Sequence, residues 1–222
     1  GDKRGVDRLS FTIQDGEIVG FLGPNGAGKS TTMNIITGYI SASEGKVVLD
    51  GHDILEEPRQ VKRRIGYLPE RPPLYDEMTV RDYLCFVSDL REVMPKAKKN
   101  HVEEILRLCD LRESEQRVIG HLSKGTRQRV GIAQALCGSP EILILDEPTR
   151  GIDIGTKVDI QKLVLKLAGD GMSVTFISSE TDEMLRTCSR LIVMRDLNKV
   201  GELSGDDLNQ SKIMSTIAGG DK

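Results

Sequence analysis

The stretch Ile18-Val19-Gly20-Phe21-Leu22-Gly23-Pro24-Asn25-Gly26-Ala27-Gly28-Lys29-Ser30-Thr31 decides the fold. Its first five residues read as a buried strand, the glycines break that strand, and a helical pattern runs on through Ile36. The loop fits G-x-x-x-x-G-K-[ST] between a strand and a helix, the setting that gives the pattern its meaning. Glycines let the backbone curl so that successive N–H groups and a helix N-terminus face one anionic ligand. Gly23, Pro24, Asn25, Gly26, Ala27, Gly28, Lys29, Ser30 and Thr31 are therefore expected to cradle nucleotide phosphates. Lys29 brings a point charge to the β- and γ-phosphates and so takes part in catalysis, and Ser30 offers a hydroxyl to Mg²⁺.

Outward from this loop, short apolar runs at 47–51, 65–68, 142–146, 174–178 and 191–194 alternate with helical patterns. Such alternation predicts an α/β fold with a mainly parallel sheet. Between 72 and 135 no strand pattern occurs. Thr79 is placed to cap a helix carrying Val80, Tyr83, Leu84 and Val87, with Asp82 three residues after the cap. Val102, Ile105, Leu106 and Cys109 line one face of a second helix. The reading is a single domain, 1–222, whose α/β core (1–70 and 136–222) is interrupted by a helical subdomain at about 71–135. The Arg71-Pro72-Pro73 break marks the boundary.

Ile142–Asp146 is the clearest strand and ends on a carboxylate, followed by Glu147-Pro148-Thr149. Asp146 at a strand tip beside a phosphate loop holds Mg²⁺ through water, and Glu147 polarises an attacking water as general base.

Composition narrows the partners. The 31 Lys plus Arg against 34 Asp plus Glu leave a net charge of −3, which gives no support for a nucleic-acid binder. With 38% hydrophobic and 29% charged residues the chain is globular rather than disordered. Cys85, Cys109, Cys137 and Cys188 have no CxxC spacing and His52, His101 and His121 are scattered, so free thiols in a reducing cytosol are expected and a zinc site is not. No apolar run reaches the roughly 18–20 residues of a membrane span, and no signal segment follows Gly1-Asp2-Lys3-Arg4-Gly5. The chain is expected to be cytoplasmic. Asn198-Lys199-Val200-Gly201 begins like a guanine-specificity motif, but Gly201 stands where Asp is needed.

Leu122-Ser123-Lys124-Gly125-Thr126-Arg127-Gln128-Arg129 supplies a third element. Together with the phosphate loop and the Asp146-Glu147 strand it resembles the ATPase domain of ABC transporters, over nearly the whole chain. Their signature is of the Leu-Ser-Gly-Gly-Gln kind; here Lys124 replaces the first glycine and Thr126 the glutamine. The resemblance implies a P-loop NTPase fold: a RecA-like core, the inserted helical subdomain and a small N-terminal antiparallel β region. It implies ATP and Mg²⁺ as cofactors, and a head-to-tail dimer with itself or a homologous ATPase subunit. There Ser123 and Gly125 face the γ-phosphate held by the other chain. It implies docking of transmembrane permease subunits near 70–80, and hence a peripheral place on the cytoplasmic face of the membrane; Pro69, Pro72, Pro73, Leu74, Tyr75 and Met78 there read equally as a docking pocket or as a structural lobe boundary. Cargo is chosen by those membrane partners.

Several positions depart from the family pattern. Glu70 stands where a glutamine usually touches Mg²⁺ and the attacking water; a carboxylate binds the metal but donates no hydrogen bond. This version, with Pro-Pro-Leu-Tyr after it, is similar to exporter-type and gliding-type ATPases. Pro148-Thr149-Arg150-Gly151-Ile152-Asp153-Ile154-Gly155, with the Asp153 loop that crosses the dimer interface, and Ser178-Ser179-Glu180 are similar to sugar-importer ATPases. Glu180 replaces a catalytic histidine that contacts the γ-phosphate, and an ionised glutamate there repels phosphate. The aromatic that stacks on adenine in the family aligns about one residue ahead of Gly1, so adenine is expected to be held weakly, with little preference for ATP over GTP. Two alternatives stand beside the transporter reading: a degenerate or recombined domain that binds ATP with little hydrolysis, and a soluble ABC ATPase without a transport role.

Overall fold

The computed structural model describes residues 5–219; the adenine-stacking position ahead of Gly1 lies outside them. Among the described residues the strands are β1 (Ile18–Leu22), β2 (Val48–Leu49), β3 (His52–Asp53), β4 (Ile65–Leu68), β5 (Ile142–Asp146), β6 (Ser173–Ile177), β7 (Arg190–Arg195) and β8 (Asn198–Ser204). The α-helices are α1 (Lys29–Ile36), α2 (Pro58–Arg64), α3 (Val80–Leu90), α4 (Pro95–Leu108), α5 (Lys124–Leu136), α6 (Ile154–Gly169), α7 (Thr181–Thr187) and α8 (Gln210–Ala218). Six strands form one sheet in the order β4-β5-β6-β1-β7-β8, parallel except for the edge pair β7–β8. The strand expected at 47–51 is shorter and belongs to a separate antiparallel hairpin, β2–β3. Its turn residues Asp50 and Gly51 both have positive φ (47° and 79°), as a two-residue turn matching strand twist requires.

Helices cover both faces of the sheet, so its strands are apolar on both sides. Ile18 and Leu22 of β1, Leu143 and Leu145 of β5, and Leu191 and Val193 of β7 join the core under α3–α8. The alternate residues Val19, Phe21, Ile144, Ile192 and Met194 pack with Met33 of α1 and Val61 of α2. This two-residue period fixes the register, because a slip by one residue would exchange the two faces. Gly20 in the central strand has a packing reason: a Cβ there would meet Leu191, Met184 and Cys188 at 2.4, 2.7 and 2.8 Å.

No strand forms between 72 and 135. The Thr79 hydroxyl accepts from Asp82 N–H at 3.1 Å and starts α3 as expected. The helices of this segment share one continuous apolar core with the sheet. Helix α5 lies so close to β4 that a Cβ on Gly66 would sit 2.2 Å from the Ala135 carbonyl oxygen. All four cysteines are free, with Cys109, Cys137 and Cys188 buried. Among the described residues no helix is long and apolar enough to cross a membrane.

Candidate functional site

Parallel strands bring their carboxyl ends to one edge, and the chemically active side chains gather there. Residues 23–28 leave β1 and deliver the chain to α1. A Cβ on Gly23 would lie 2.2 Å from the Met194 carbonyl oxygen, so only glycine lets the loop pass the end of β7. Gly28 sits at φ 99° ahead of α1, and a Cβ there would also press on Val6 at 2.7 Å. Lys29 Nζ donates to the Gly23 and Pro24 carbonyls at 2.6 and 3.1 Å. Burial pushes the Lys29 ammonium pKa down, against the pull of Glu147 and Asp146. Ala27 is buried and donates its N–H to Pro24, closing the turn at 3.1 Å.

A cleft of about 350 Å³ opens above this loop, lined by Gly5, Asn25, Gly26, Gly28, Lys29, Ser30, Thr31, Glu70, Asp146, Glu147, Arg150 and Leu197. Asp146 is 4% exposed. Burial, with Glu147 and Glu70 adding like charge, raises its pKa to about 6, while the Ser30 hydroxyl bond and Lys29 hold it down. Glu147 is buried at φ 50°, a left-handed conformation that is costly for a residue with a side chain. Two bonds hold it: its N–H donates to the Ile177 carbonyl at 2.9 Å, and Ser179 Oγ donates to its Oε2 at 3.4 Å. Glu70 accepts from Arg150 Nη1 at 2.5 Å.

Ser123 and Gly125 do not line this cleft. Ser123 is exposed and caps α5, its hydroxyl accepting from Thr126 N–H at 3.2 Å. Gly125 packs on α6, where a Cβ would stand 3.0 Å from the Thr156 methyl. Glu180 does not line the cleft either; its carboxylate pairs with Lys157 of α6 at 2.5 Å. Asp153 caps α6 by accepting from Thr156 N–H at 2.9 Å.

Among the described residues no group of three or more His, Cys, Asp or Glu forms a cage for a metal ion. The hard oxygens of Ser30, Asp146 and Glu70 nonetheless fit Mg²⁺, which is held by one or two carboxylates and completes its shell with water and substrate phosphate. Sequence reasoning missed the charge partners Arg150 and Lys157, the Ser179 bond to Glu147, and the Gly5 and Leu197 walls. None has a spacing signature; each acts through contacts across the fold.

Residues 6–150 match the family model described as ABC transporter. The bacitracin transport ATP-binding protein BcrA of Bacillus licheniformis is 38% identical over 81% of this chain and 58% of its own. The lipopolysaccharide export system ATP-binding protein LptB of Haemophilus influenzae is 34% identical over 85% of this chain and 80% of its own. The chain spans little more than half the length of BcrA and of an uncharacterized ABC transporter ATP-binding protein of Synechocystis, at 58% and 52%. Among solved structures, the dimeric post-hydrolysis state of the ATP-binding cassette MJ0796 bound to ADP and Pi superimposes with a TM-score of 0.82. It is 26% identical, over 90% of each chain.

Proposed function

The chain belongs to the ABC transporter family, as one of its ATP-binding domains, and from that premise we propose that it binds and hydrolyses Mg-ATP to drive transport by separate transmembrane permease subunits. The observation that carries this is the convergence of Lys29, Ser30, Asp146 and Glu147 in one cleft at the carboxyl edge of the sheet. The loop N–H groups and Lys29 bind the phosphates. Ser30, Asp146 and Glu70 would hold Mg²⁺, whose charge would make the terminal phosphate a better electrophile. Glu147, fixed by Ser179, takes the proton from the attacking water at its carboxylate.

Ser123 and Gly125 serve the phosphates of a second chain in a head-to-tail dimer. Residues 71–135 act as the helical subdomain. Its Tyr75 is half-exposed and packs on Tyr83 and Phe86 at centroid distances of 5.8 and 5.6 Å, which gives a permease segment an aromatic surface to dock on. The protein then works on the cytoplasmic face of the membrane. Glu147→Gln tests the reading: phosphate release falls by about 10²–10⁴-fold while ATP stays bound, and light scattering in Mg-ATP finds a dimer. A variant that hydrolyses like wild type overturns it. Glu180 in place of histidine favours a second reading, ATP binding with little hydrolysis; phosphate release at background in both proteins, with ATP bound, selects that one.

A further inference from the structure

We propose that Arg150 is a positioning residue that holds Glu70 as a neutral pair, so that a third carboxylate is tolerated beside the nucleotide phosphates; this rests on the nucleotide-site reading above. Strands β4 and β5 run parallel with Leu68 opposite Leu145. Just past the ends of these strands, Glu70 and Glu147 line the same cleft. Two acidic side chains beyond the ends of adjacent strands, in a cleft that Asp146 also lines, repel one another and any phosphate anion there.

Arg150 answers this charge from a fixed point. Its N–H donates to the Glu147 carbonyl at 3.2 Å, closing a tight turn after β5. Its guanidinium then reaches across the cleft wall to Glu70 at 2.5 Å, between residues 80 positions apart. All three of Glu70, Glu147 and Arg150 line the cleft. A glutamine at position 70 would need no such partner, so the two residues form one charge-compensated unit. The contact is a single Nη1–Oε1 bond, so charge rather than fork geometry sustains it.

The test is a double-mutant cycle on the full chain, read as the Kd of a fluorescent ATP analogue in Mg²⁺ and, separately, as melting temperature without nucleotide. Expected are an Arg150→Ala Kd raised by about tenfold, and E70Q/R150A and Arg150→Lys both back within about threefold of wild type. Glu70→Gln, which also alters a metal-facing oxygen, is the reference for the double variant: adding R150A to it is expected to change Kd by less than about threefold. Without nucleotide, R150A melts lower and the second substitution restores it. If E70Q/R150A binds as weakly as R150A, the guanidinium acts on the nucleotide itself and the proposal fails. It fails equally if no variant differs from wild type. A wild-type chain that binds no nucleotide overturns the nucleotide-site reading instead, and the melting cycle then decides whether Arg150 and Glu70 are coupled.

Discussion

His101 shows how one titrating side chain can report on the packing of helices. It lies on α4, and its Nε2 accepts the N–H of Gly138 at 3.0 Å, just past the end of α5. Burial lowers its pKa below the ordinary 6.5, while Glu104 works against that shift. The neutral ring is therefore the folded form. As pH falls through 6.5 the unfolded chain takes up a proton before the folded one does, so stability present at neutral pH is lost on acidification. His101→Gln keeps an acceptor without the titration. Urea unfolding between pH 7.5 and 5 is expected to give wild type a steeper loss than the variant, by at most about 1.4 kcal/mol per pH unit. Identical slopes would show that the ring does not titrate with folding.

At the scale of elements, Arg91 joins segments that sequence distance keeps apart. From the end of α3 it donates to the carbonyls of Lys62, Arg63, Ile65 and Cys137 at 3.0, 3.3, 2.7 and 3.1 Å. Those carbonyls close α2, open β4 and end α5, so one guanidinium ties the helical segment to the sheet at a second place besides the Gly66–Ala135 contact. Arg91→Met keeps the bulk and leaves four carbonyls short of a donor. Guanidinium chloride denaturation should show a loss of about 2–4 kcal/mol, and a loss under about 0.5 kcal/mol would show that water replaces the side chain. Nothing in the sequence marks Arg91, since its partners are backbone oxygens. The central strands were legible because burial on both faces makes them continuous apolar runs, as in Ile142–Asp146. β8 was not: it is a polar edge strand, and its Asn198-Lys199 looked like part of a different motif. The site divides in the same way. Lys29, Ser30, Asp146 and Glu147 follow from local pattern, whereas the Arg150–Glu70 contact joins residues 80 positions apart and has no spacing to announce it.

For the molecule as a whole, the position of Ser123 carries the argument. The hydroxyl that caps α5 is exposed, outside the phosphate cleft of its own chain. On the proposed function, the helix N-terminus at Ser123 would complete a nucleotide site only when another chain brings its phosphates to it. A two-fold head-to-tail pair forms two such composite sites, each joining one chain's Lys29 to the other's Ser123. Lys29→Ala disables a chain's own cleft, and Ser123→Arg disables what it offers its partner. Each variant alone is expected to release phosphate at background. Mixed in equal amounts, half of the dimers are heterodimers, and each of these contains one site with both residues intact. The mixture should therefore recover about a quarter of the wild-type rate. Recovery that grows with total protein concentration would tie it to association. Ser123→Arg active on its own would mean that Ser123 does no more than cap its helix, and a mixture as inactive as its parts, in a preparation whose wild type is active, would mean that Lys29 and Ser123 act within one chain.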